Sequence, residues 1–84
     1  MTPEQIQETI VRLLNAAGLG HSISPTEVAQ ALKPGNEWNT LMPAVRRAAV
    51  NMALEGRLVI YRKGKPVDPN DFKGVYRLGL PRRD

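Results

Sequence analysis

An α+β fold, three helices followed by a small antiparallel β-hairpin, is what this sequence of 84 residues predicts. Three observations predict it. Thr2 and Ser24 each stand directly before a proline and three places before Gln5 and Glu27, the pattern of a capped helix start. Between Trp38 and Gly56, Leu41, Val45, Ala48 and Met52 recur at steps of four, three and four, which lines one face of a longer helix. After Gly56 the period drops to two, in Arg57 to Lys63 and again in Gly74 to Leu80.

Each element has its own start and stop. The first helix, residues 3–17, carries an apolar stripe of Ile6, Ile10, Leu13, Leu14 and Ala17 and is stopped by Gly18. Its outer face holds no charged or aromatic cluster, so its role is structural. Residues 21–23 are expected as a short third strand that pairs with the hairpin. The second helix, residues 25–33, has Ser24 and Glu27 as a capping box and Ile23 clasping Val28 as a hydrophobic staple; Val28, Ala29, Ala31 and Leu32 form its stripe, and Pro34 and Gly35 end it.

The third helix, residues 40–55, cannot begin earlier than Asn39 or later than Met42, because Pro43 is tolerated only in a first turn. Its stripe should pack on Ile6, Ile10, Leu13 and Leu14. Trp38, just ahead of it, is expected to plug the gap between helices. Farthest from the stripe lie Pro43, Arg46, Arg47 and Val50, so two adjacent arginines point outward. The hairpin strands are placed at 57–63, with Leu58 and Ile60 on one face, and at 74–80, where Tyr76, Leu78 and Leu80 alternate with Val75, Arg77 and Gly79. Residues 64–73, rich in proline and aspartate, are expected to protrude as a loop, and residues 81–84 to fray.

The chain reads as a single domain over residues 1–84, and at this length only about 60 to 65% of the unfolded surface is buried. Absence of cysteine excludes disulfides, cysteine-based zinc sites and a thiol nucleophile, and suits a cytoplasmic setting. No apolar run approaches the roughly 20 residues that span a bilayer, and no basic segment followed by an apolar one opens the chain, which is read as mature and soluble, with no membrane partner. The net charge of +4 is unevenly spread. Up to Glu37, Arg12 and Lys33 stand against four glutamates, a balance of −2; from Trp38 on, ten cations stand against Glu55, Asp68, Asp71 and Asp84, a balance of +6. A polyanionic partner would meet the second half.

Helix, strand stub, helix, longer helix and long-looped hairpin is the element order of a winged helix-turn-helix domain. More narrowly, the runs SPTEVAQAL, WNTLMPAVRRAA, EGRL, KGKPVDP and GVYRL resemble a small, mainly bacterial winged-helix family catalogued as a domain of unknown function. That resemblance implies no activity. The broader winged-helix resemblance implies double-stranded DNA as partner, with the third helix in the major groove and a basic wing along the backbone.

The residues suit such a role in part. Those early in the second helix of the motif reach base edges, here Asn39, Thr40, Pro43, Arg46, Arg47 and Val50. Arginine offers a fork to guanine and asparagine pairs with adenine, while Arg62, Lys63, Lys65 and Lys73 could meet phosphates. Neutralising four to six phosphates gives a log–log salt slope of about −4 to −5. The connector between the second and third helices, about seven residues, exceeds the usual three or four and could tilt the third helix. The alternative is a protein-interaction module, a homodimer or a binder of an acidic protein, with Pro43, Val50 and Leu54 as contacts. An enzyme is not expected: His21 is the only histidine, and no nucleophile elbow, phosphate loop or metal-ligand spacing is present, so no cofactor and no metal are expected.

Overall fold

The computed structural model of the protein describes residues 2–33, 35 and 37–81. The elements follow in the expected order: α1 (Pro3–Ala17), β1 (Ser22–Ile23), α2 (Pro25–Leu32), a 3-10 turn (Trp38–Leu41), α3 (Met42–Leu54), β2 (Val59–Arg62), β3 (Lys65–Pro66) and β4 (Arg77–Gly79). The fold is thus α+β, three helices and a small antiparallel sheet.

Local chemistry sets the helix starts. The Thr2 hydroxyl accepts from Gln5 N at 3.3 Å while Thr2 N donates to Gln5 Oε1 at 3.0 Å, a complete capping box. Ser24 accepts from Glu27 N at 3.2 Å. The reciprocal bond expected there is not formed among the described residues. Lys33 leaves the helical region at φ −143° and ψ 87°, as a residue before proline does, so α2 ends at Leu32. Pro34, expected to stop that helix, lies outside the described residues. So does the expected fraying beyond Pro81.

Pro43 falls in the first turn of α3, and the 3-10 turn before it is closed by Thr40, whose Oγ1 donates to Glu37 O at 2.7 Å. Ile6, Ile10 and Leu14 of α1 meet Val28 and Ala29 of α2 and Val45, Ala48, Ala49 and Met52 of α3 in one core. Leu13, Leu41 and Trp38 are half-buried against it, so Trp38 does fill space between helices.

The four strands are antiparallel in the order β1-β4-β2-β3. Ile23, Leu78 and Ile60 stand opposite one another across three strands, and all face the helices. A strand's alternation then sends Ser22, Gly79 and Val59, with Arg77 and Tyr61 beside them, to the open face.

The region 64–73 differs from expectation. It begins with β3, paired to β2 through Arg62↔Lys65 and Tyr61↔Pro66, so the chain reverses at Lys63 and Gly64. Both take positive φ, 52° and 80°, as the type I′ hairpin turn requires. A Lys-Gly pair is a poor sign of that turn, whose first position favours Asn, Asp or Gly. Beyond β3 the chain folds back on an Asx turn, with Asn70 N donating to Asp68 Oδ1 at 2.9 Å, and returns Phe72 and Tyr76 to the core.

Candidate nucleic-acid interface

The outer flank of α3 and the returning loop are joined by one side chain. Arg46 Nη2 donates to Phe72 O at 2.8 Å, and its guanidinium carbon lies 4.1 Å from the Phe72 ring centroid and 5.9 Å from that of Tyr76. The two rings meet edge-on, centroids 5.1 Å apart and planes at 66°. Arg46 therefore acts as a clasp on the loop, with fewer donors left for an outside ligand. Burial pushes the Tyr76 hydroxyl above the ordinary tyrosine value, against a smaller downward pull from Arg46. That hydroxyl is buried without a protein partner.

Arg47 points elsewhere. It lines a shallow depression of about 240 Å³ between α1 and α3, with Pro3, Ile6, Ala44, Ala48 and Asn51. The adjacent arginines, read from the helical wheel as an outward pair, are divided by the 100° step between successive residues. Asn39 and Thr40 are exposed on the 3-10 turn, where the Thr40 hydroxyl is already engaged as a donor. Val50 is half-buried against the core, so it contributes packing more than a contact face.

In the hairpin, Arg62 is held like Arg46: its Nε donates to Val75 O at 3.1 Å. Lys63, Lys65 and Lys73 are exposed and enter no ion pair among the described residues. Lys73 follows Phe72 directly, so the Arg46 clasp holds its backbone beside α3. Arg57 lies apart, 3.7 Å from Glu55 and among Glu4, Gln7 and Glu8 of α1.

Two features escaped the sequence reading. The aromatic seat of Arg46 is hidden because Phe72 stands in the stretch read as a protruding loop, although an aromatic residue there is a signal of burial; Tyr76 is read in the following strand. The second is a groove on the open face of the sheet, about 180 Å³, lined by His21, Ser22, Tyr61, Lys63 and Arg77 among others. Alternation alone put Arg77 opposite Leu78; its neighbours depended on register. Among the described residues no group of three or more His, Asp or Glu could hold a metal ion. Among the described residues no helix is long and apolar enough to cross a membrane.

The chain belongs to the family described as protein of unknown function (DUF3253), whose model matches residues 3–81. No curated protein matches it.

Proposed function

We propose that this member of the family is a winged helix-turn-helix domain that binds duplex DNA. In this reading the 3-10 turn and the start of α3 offer Asn39, Thr40 and Arg47 to the groove, and the hairpin acts as a basic wing through Lys63, Lys65 and Lys73. The observation that carries it is the Arg46 clasp, which fastens the cation-bearing loop to the flank of α3 so that both can meet one partner. Arg46 and Arg62 serve as positioning residues. The reading involves no catalysis and no cofactor, and a cysteine-free chain suits the cytoplasm.

With four free cations the log–log salt slope should be about −3 to −4. The test is anisotropy on a mixed-sequence duplex. Replacing Arg47, Lys65 and Lys73 together by alanine is expected to weaken binding at least tenfold and flatten the slope. Equal affinity in parent and variant would sink the proposal. Leu54 and Val75, 57% and 85% exposed, favour a second reading, a homodimer or an acidic protein partner. A mass that stays monomeric in sedimentation at high concentration would remove its dimer form.

A further inference from the structure

The open face of the sheet gathers two cations. Arg77 and Lys63 line the same groove as His21, Tyr61 and Ser22, and among the described residues no carboxylate lines it. Lys33 and Arg57 have glutamate partners, whereas Arg77 and Lys63 enter no ion pair among the described residues. Neutral groups do hold Arg77: its Nε donates to Ser22 Oγ at 2.6 Å and its Nη2 to Ser22 O at 3.0 Å. Those bonds fix one edge of the guanidinium and leave its charge uncompensated. Nη1 and the second N–H of Nη2 enter no hydrogen bond among the described residues, and together they make a fork of the spacing that matches two oxygens of a phosphate.

Two backbone features support a built site. Lys63 stands at φ 52°, where asparagine or glycine would sit with less strain, and strained residues gather where function keeps them. Gly79 gives room to Tyr61: a Cβ there would lie 2.8 Å from Tyr61 Cε2, so the ring packs down on the strand and walls the groove. The volume, about 180 Å³, is below the roughly 300–1,000 Å³ of sites for drug-sized ligands, which suits one anionic group better than a whole cofactor.

We propose that this groove binds a phosphate group, with Arg77 supplying the fork, Lys63 a point charge, and His21 and Tyr61 hydrogen bonds at the rim. The phosphate could belong to a small monoester or to the phosphodiester of a single strand crossing the sheet. The site shares Lys63 with the proposed wing but uses none of Arg47, Lys65 and Lys73, the residues replaced in the duplex test, and Arg77→Lys leaves all four of those cations in place, so the two readings can fail separately.

The test is NMR titration of the ¹⁵N-labelled full chain with inorganic phosphate, with acetate, and with an oligothymidylate lacking a terminal phosphate. Saturable shifts are expected at residues 20–22, 63–64 and 77, with phosphate binding at least tenfold tighter than acetate. Arg77→Lys, which keeps charge and loses the fork, should weaken phosphate binding about fivefold or more. Lys63→Asn should weaken it similarly while the melting temperature holds or rises, because asparagine tolerates positive φ. Tighter binding of the oligonucleotide identifies a strand as the source; binding of phosphate alone identifies a small ester. Absence of saturable shifts with both, equal binding of acetate, or binding unchanged in both variants would overturn the proposal.

Discussion

Polar fastenings within the helices join near neighbours, apart from an exposed 3.5 Å bond from Arg57 to Gln7, whereas those around the hairpin, the Asp68–Asn70 turn aside, join distant ones. Thr2 meets Gln5, Thr9 bonds Gln5 O and Ser24 meets Glu27, at separations of three or four residues. Arg62 reaches Val75, Arg46 reaches Phe72 and Arg77 reaches Ser22, at separations of 13, 26 and 55. All three of the latter are arginines donating to carbonyls. A helix satisfies its backbone internally, whereas a short-stranded sheet with a long loop leaves carbonyls that need donors from outside. The cations of the second half are thus partly structural, and the charge balance of +6 overstates what is free for a ligand.

Phe72→Ala should give the largest effect. It removes a buried aromatic ring and the seat of Arg46, and a loss of about 3 to 5 kcal/mol is expected in urea unfolding. A loss below about 1 kcal/mol would mean that the loop is not part of the core, and the contrast between the regions would collapse. Arg46→Ala should cost less, about 1 to 2 kcal/mol, since its charged hydrogen bond and cation–π contact are partly open to water. The two substitutions share one interaction, so their combined effect should fall short of the sum.

The caps sharpen the other side. Thr2→Ala and Ser24→Ala should each cost about 1 kcal/mol, and because they share no partner, the double variant should lose the sum. Non-additive loss at the caps, or strict additivity at Arg46 and Phe72, would reverse the assignment of local and distant fastening.

What could be read from the sequence divides along the same line. The limits of α1, the start of α3 and the buried faces of Leu58, Ile60 and Leu78 followed from caps, proline and periodicity, which act within a few residues. The Lys63–Gly64 turn did not, because its first residue is atypical for positive φ. The direction of Arg46 did not either. A helical wheel shows that it leaves the core, and only the folded loop shows that Phe72 and Tyr76 come out to meet it. Among the candidate contacts, Lys65 and Lys73 remain as free as composition suggested, whereas Arg46 and Arg62 bind their own chain.

Tyr76 offers the smallest effect and the finest probe of that seat. Its hydroxyl is buried without a protein partner, so Tyr76→Phe should leave stability at neutral pH unchanged or raise it by up to about 1 kcal/mol. At alkaline pH the two chains should separate. Burial raises the Tyr76 pKa above 10.0, more than Arg46 lowers it. Below that value the phenol is protonated in both folded and unfolded chains and contributes no slope. Above it the unfolded chain releases the proton first, so folded protein binds more protons and stability falls with rising pH until the folded pKa is passed. Phenylalanine cannot titrate, so the variant should lose less stability than the parent from about pH 10 upward, as urea midpoints at stepped pH would measure. A parallel decline in both chains would mean that water reaches the Tyr76 hydroxyl or that the Arg46 charge offsets its burial in full.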